Sequence, residues 1–332
     1  MLKAVYFEIL EYAPENLALL RSSFDLVELG DPAQLTDRLL GEVEVLFAPL
    51  GYQFDATFLA KCPRLQVVAT NTTGVPHIDV EYAVARGIKV VSLKDERAFL
   101  DSITPTAELT IGLMVCITRN VAPAVTAVVG GRWRRWDFGG PAMLSRMSLG
   151  IVGLGRLGQM VARYARAMGM KIVYHDPFLA ASPSGLDYTR SDTLEELVSS
   201  CDITSIHIPM TAANRHLFSA GIFAKFKHGA FLINTARGEI VDSIALVDAL
   251  QSGRLAGAAL DVLDGEFEPG FQERVGDHPL VRYASDHNNL IITPHIAGST
   301  KDAWYLTQRF TIERALAAVS TSAGGNSGAV IT

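Results

Sequence analysis

Apolar runs too short for helices recur along the first hundred residues, at 3–9, 25–29, 43–48, 65–70 and 88–93. They read as strands. Between them, 15–21, 32–40, 55–61 and 79–86 read as helices, some with end signals: Asp31 stands before Pro32, and Gly87 follows Arg86. Regular strand–helix alternation predicts a mostly parallel sheet covered by helices.

Residues 102–119 read as one long apolar helix with Ser102 as its N-cap. The Gly/Trp/Arg-rich stretch 130–141 then breaks all periodicity and reads as a loop or arm. A second alternating series follows. Its strands are expected at 149–153, 171–175, 203–209, 230–234, 257–262 and 290–293, its helices at 157–168, 194–200, 219–226 and 243–251. Six strands with intervening helices make one doubly wound nucleotide-binding unit. A surface excursion is expected over 268–289, a closing helix over 302–319 and a frayed low-complexity tail over 320–328.

Composition narrows the class. A chain of 332 residues suggests two domains, and 49% hydrophobic with 19% charged residues excludes an intrinsically disordered chain. A net charge of -6 argues against a nucleic-acid partner. Cys62, Cys116 and Cys201 are dispersed, which argues against a metal site or disulfide framework and for a cytoplasmic home. Glu8 and Glu11 interrupt the N-terminal run, so no signal peptide is expected. The most apolar stretch, 109–117, is too short to span a membrane. The chain ends soon after its closing helix, so no appended regulatory domain is expected.

Gly153-Leu-Gly155-Arg-Leu-Gly158 follows an expected strand and opens an expected helix. That context suits a dinucleotide. Gly153 makes the tight turn, Gly155 admits the pyrophosphate to the backbone, and Gly158 lets the helix pack closely, while Arg156 and Leu157 enter the helix N-terminus. Asp176, after the next strand, would accept the adenosine ribose hydroxyls and repel a 2′-phosphate, favouring NAD over NADP. The lesser alternative is a strand-end turn residue before Pro177.

Three later stretches each follow a strand: Asn234-Thr-Ala-Arg237-Gly-Glu-Ile-Val-Asp242, Ala259-Leu-Asp-Val-Leu-Asp-Gly-Glu266 and Thr293-Pro-His295-Ile-Ala-Gly-Ser-Thr300. In a parallel sheet all three would point into the crevice that takes the cofactor. Together with the glycine fingerprint these motifs resemble the D-isomer-specific 2-hydroxyacid dehydrogenase family. The resemblance implies two similar doubly wound parallel-sheet α/β domains, a Rossmann NAD-binding domain (101–295) inserted into a flavodoxin-like substrate domain (1–100 and 296–332). It implies NAD(H) as cofactor, a small carboxylate substrate, and a homodimer formed through the NAD-binding domains.

Carried over position by position, the family's catalytic trio falls on Arg237, Glu266 and His295. Arg237 would grip the substrate carboxylate with a planar fork, His295 would exchange the hydroxyl proton, and Glu266 would orient the imidazole and stabilise its charged form. Glu268, which directly precedes Pro269 as the family's acid does, is the alternative to Glu266. Cofactor contacts carry over to Thr106, His207, Pro209, Thr235, Ala236 and Asp261. The substrate loop carries over to Thr73, Gly74 and Val75, although Pro76-His77 replaces the family's Asp-Asn. Arg237 could instead cap the following helix or pair with Glu239 or Asp242. The segment 47–51 lacks the basic residue that phosphoglycerate-type members carry, which argues against a phosphorylated substrate held there. An NAD(H)-sensing corepressor of the same fold is the alternative from another class. Formate chemistry is disfavoured because residue 266 is Glu rather than Gln.

Overall fold

In a computed structural model, which describes residues 1–179, 181–182, 187–268 and 270–323, the chain divides into two units. Met1–Ile103 together with the segment from Thr300 forms the first, and Thr104–Ser299 forms the second. Most of the expected tail, 324–328, lies outside the described residues.

The first unit holds β1 (Lys3–Phe7), β2 (Asp25–Leu29), β3 (Val45–Phe47), β4 (Val67–Ala69) and β5 (Lys89–Val91), in the order β2-β1-β3-β4-β5 with every pairing parallel. The central strands β3 and β4 are wholly buried, as strands covered on both faces must be. Thr36, Asp55 and Asp79 cap the helices between strands by accepting from the N–H of Leu39, Phe58 and Tyr82. The helix Lys301–Ala323 returns to this unit, where Ile312 and Ala315 join Tyr6, Val45, Phe47 and Val67 in one core cluster. The expected helix over 32–40 is broken in two. A 3-10 turn covers Pro32–Gln34 and a separate helix Asp37–Glu42, because Leu35 adopts extended backbone between them.

The second unit holds seven strands among the described residues: β6 (Ser148–Val152), β7 (Lys171–His175), β8 (Thr189–Arg190), β9 (Ile203–Ile206), β10 (Ala230–Asn234), β11 (Leu255–Leu260) and β12 (Leu290–Ile292). They run β12-β11-β10-β9-β6-β7-β8, all parallel. The connection reverses between β6 and β9, which is where doubly wound sheets open a ligand crevice. The seventh strand, β8, escaped prediction because its two residues are both exposed and form no apolar run.

Other departures have local causes. The long apolar helix starts at Pro105, not Ser102. Proline lacks an N–H and suits the first helical turn, while the Ser102 hydroxyl donates back to the Phe99 carbonyl. The helical run over 97–118 passes a length and hydropathy test for a membrane span (mean hydropathy 1.3), which the expected 109–117 stretch would not. It is interrupted at 101–104, and its Pro105–Thr118 part buries Leu113, Met114 and Ile117 in the second unit's core. A helix at Val121–Val129 precedes the arm, and the arm itself contains the 3-10 turn Arg135–Phe138. The excursion over 268–289 is in part core: Pro279–Asp286 is a helix whose Leu280 and Tyr283 are buried with Leu260 and Leu290.

Candidate active site

The glycine turn is shaped by what side chains would hit. Gly153 has φ of +88°, a left-handed conformation that favours glycine, and a Cβ there would stand 2.9 Å from the His207 carbonyl oxygen. A Cβ on Gly158 would lie 2.1 Å from the Gly153 carbonyl oxygen, so only glycine lets the helix Arg156–Ala167 sit this close to the end of β6. At Gly155, by contrast, a Cβ would meet no protein atom within 4 Å. The backbone at this helix N-terminus is therefore open to close approach, which fits a dinucleotide pyrophosphate. Leu157 is half-buried and packs on the core below, and Arg156 stands at the first helical position.

Asp176 ties the end of β7 to this turn. One carboxylate oxygen accepts from the Leu154 N–H at 2.9 Å and the other from the Phe178 N–H at 3.0 Å. Both oxygens keep lone pairs, so the turn role and a ribose-binding role are compatible. His207, after β9, holds the Ser205 hydroxyl at 2.8 Å from its Nε2, and burial pushes its imidazole down to about 4. It is a neutral histidine under the glycine turn. Pro209 is exposed beyond it, its carbonyl accepting from Asn214.

The loop after β10 is built by a side chain the sequence reading did not single out. Asn234 is buried; its Nδ2 donates to the Arg237 carbonyl at 2.8 Å and its Oδ1 accepts from the Ala236 N–H at 3.0 Å. The signal was there, since a lone amide ends the otherwise apolar strand Ala-Phe-Leu-Ile-Asn. Thr235 is anchored by the Thr110 hydroxyl at 2.8 Å, and Thr110 in turn donates to the Thr106 carbonyl at 2.7 Å. Gly238 lets this loop dock: a Cβ there would stand 2.0 Å from the Leu263 carbonyl carbon, just before Glu266.

Arg237 makes no ion pair among the described residues; its Nη1 donates to the Ala236 carbonyl at 2.6 Å. Pairing with Glu239 or Asp242 is not seen. The cap of the following helix is Asp242 itself, which accepts from Ile244 and Ala245. The guanidinium fork is left for an external anion.

His295, Glu266 and Asp261 follow the ends of β11 and β12. Glu266, not Glu268, stands at His295, with its Oε1 2.9 Å from Nδ1. That is ion-pair distance, although the N–H is not aligned for a hydrogen bond and Oε1 has no other donor. The Glu266 side chain is 11% exposed and the His295 side chain 36%, so a mostly buried acid backs a partly exposed imidazole.

Asp261, carried over as a cofactor contact, is 1% exposed, and its carboxylate bonds to the chain around His295. Oδ1 accepts from the Thr293 hydroxyl and the Ile296 N–H (2.9 Å), Oδ2 from the Ala297 N–H (2.7 Å), and its backbone carbonyl from the His295 N–H (2.9 Å). These bonds hold His295 at a φ of +52°, which costs a non-glycine residue about 1–3 kcal/mol.

In the first unit, the Thr72 hydroxyl donates to the Gly74 carbonyl at 2.6 Å. Among the described residues no acceptor takes the N–H of Thr73, Gly74 or Val75, so these donors suit a carboxylate. His77 is buried beside Phe54, and burial holds its imidazole below the usual range. It packs as a structural residue.

Residues 111–297 match the family model described as D-isomer specific 2-hydroxyacid dehydrogenase, NAD binding domain. The chain belongs to the D-isomer-specific 2-hydroxyacid dehydrogenase family. It is 36% identical over 264 residues to the D-3-phosphoglycerate dehydrogenase of Homo sapiens, an alignment covering 80% of this chain and 46% of that one. It is 33% identical over 266 residues to the hydroxypyruvate reductase of Thermotoga maritima, covering 80% and 81%. The chain thus spans about half the length of the D-3-phosphoglycerate dehydrogenases it matches. Among solved structures, the D-lactate dehydrogenase of Aquifex aeolicus, complexed with NAD and lactic acid, superposes with a TM-score of 0.81 at 25% identity, covering 97% of this chain and 96% of that one. In this family member, too, the sheets are parallel and the domain matched by the family model binds NAD.

Proposed function

We propose that this protein is an NAD-dependent oxidoreductase that interconverts a small D-2-hydroxy acid and its 2-keto acid. The observation that carries the reading is the His295–Glu266 pair, 2.9 Å apart, at the strand ends of the unit that also carries the glycine turn. NAD, when bound, supplies or accepts the hydride at substrate C2. Arg237 binds the substrate carboxylate and fixes which face of C2 is presented. His295 holds the proton of the C2 oxygen at Nε2, releasing it when a ketone is reduced and taking it when an alcohol is oxidised. Glu266, at Nδ1, keeps the ring in the tautomer and orientation this requires and balances the imidazolium charge. Gly155 and the first turn of its helix receive the pyrophosphate, and Asp176 the ribose.

Arg237→Ala tests the assignment. Expected is a fall in kcat/KM for 2-keto acid reduction of about 100-fold or more, with NADH binding and melting temperature unchanged. Lost folding would show the arginine to be structural. Wild-type protein that binds NADH but reduces no 2-keto acid would favour an NAD(H)-sensing role instead.

A homodimer formed by the second unit is part of the same proposal. Val125, Val128 and Val129 on the helix Val121–Val129, with Trp133 and Trp136 after it, are exposed (Val129 84%, Trp133 89%) and form an apolar stretch that a second copy would cover. A sedimentation mass of one chain would refute it.

A further inference from the structure

Directly after Glu266 this chain departs from the family pattern. Where the resemblance expects proline, it has Phe267. The Phe267 ring lies against the His295 imidazole, with centroids 5.6 Å apart and planes tilted by 58°. It is 45% exposed and, among the described residues, belongs to none of the buried apolar clusters. A phenyl group placed for stability would be buried. This one sits beside the group that moves the proton and turns apolar surface outward, where it gains only if something apolar covers it.

A 2-keto acid bound by Arg237 and His295 has committed its carboxylate and its C2 oxygen. What remains to meet an aromatic wall is the substituent beyond C2. The resemblance places a phosphate-binding cation of phosphoglycerate-type members in the segment 47–51, and Phe-Ala-Pro-Leu-Gly holds none. We propose that Phe267 determines specificity, selecting 2-hydroxy and 2-keto acids whose substituent beyond C2 is apolar, branched aliphatic or aromatic, over those in which it is absent, hydroxylated or phosphorylated. This rests on the reaction proposed above and deepens it by naming the substrate class.

The test is a comparison of kcat/KM with NADH for phenylpyruvate and 4-methyl-2-oxopentanoate against glyoxylate and hydroxypyruvate, in wild type, Phe267→Ala and Phe267→Leu. Wild type should favour the apolar pair. Phe267→Ala should lower the apolar-to-polar ratio about tenfold or more, with Phe267→Leu between the two. The ratio is read within each variant, so a general loss of activity does not imitate the result. An unchanged ratio in Phe267→Ala, or a wild type that prefers glyoxylate or hydroxypyruvate, overturns the role of Phe267 and leaves the reaction standing. Should nothing turn over, the same ratio is read from dissociation constants measured by calorimetry with NADH present. A protein that neither turns over nor binds any of the four overturns the reaction, and this inference with it.

Discussion

Two turns at the carboxyl end of one sheet are held by opposite means. The turn after β6 depends on missing side chains: a methyl group at Gly153 or Gly158 would strike backbone oxygen at 2.9 or 2.1 Å. The turn after β12 depends on a side chain that is present, a buried carboxylate with three donors from residues 293–297. The first arrangement leaves the backbone at Gly155 open to close approach, and so makes a binding surface. The second uses up its polar atoms internally to hold one imidazole at a left-handed φ, and so makes a reactive group of fixed orientation. Binding a dinucleotide needs access, whereas proton transfer needs a geometry that does not relax.

The sharpest way to break this contrast is Asp261→Asn. The amide keeps one acceptor oxygen for Thr293 and Ile296 but turns an N–H group toward the Ala297 N–H, leaving a buried donor unpaired at about 1–3 kcal/mol. Stability should fall by that order in urea titration. With the His295 turn loosened, kcat/KM should drop about 100-fold, while NAD affinity, measured by nicotinamide fluorescence, stays unchanged. If NAD affinity instead falls in step with kcat/KM, Asp261 is a cofactor ligand as the sequence suggested, and the two turns do not divide the work.

The contrast also explains what could be read from the chain. Glycines forced by close contact leave a spacing, and the packing roles of Gly153 and Gly158 were legible in it. The strand–helix rhythm placed every strand of the first sheet; its buried central strands β3 and β4 are continuous apolar runs, as strands covered on both faces must be. The pairing of Glu266 with His295 was anticipated through motif order. The turn-building roles of Asn234 and Asp261 were not legible, since a buried amide or carboxylate that bonds to backbone has no periodicity, and its partners, Arg237 and Ala297, are set by the folded turn. The two-residue edge strand β8 and the helix in 268–289 were lost for a related reason. The strand is too exposed, and the helix too thinly apolar, to stand out before the core they join exists.

A smaller effect sharpens the comparison from the side of the glycine turn. The His207 backbone forms the floor under Gly153, and its imidazole is held neutral by burial, with a folded pKa near 4. The same ring in the unfolded chain titrates near 6.5. Between those values the unfolded state binds a proton that the folded state does not, so stability rises with pH across the window and is lost as pH falls from about 6.5 toward 4. The shift bounds that loss at about 3 kcal/mol. His77 and His278 are also held below the usual range by burial and add losses of the same sign, so the contribution of His207 is read as a difference. Histidine 207 replaced by asparagine (His207→Asn) keeps a polar group for Ser205 but cannot take up the proton. Urea midpoints measured from pH 7 to 4.5 should therefore fall less steeply in the variant than in wild type. NAD affinity in wild type should weaken over the same interval, because the floor that fails is the one beneath the cofactor turn. Parallel midpoints in the two proteins would mean that His207 gains its proton without cost, and that the glycine turn does not depend on what lies under it.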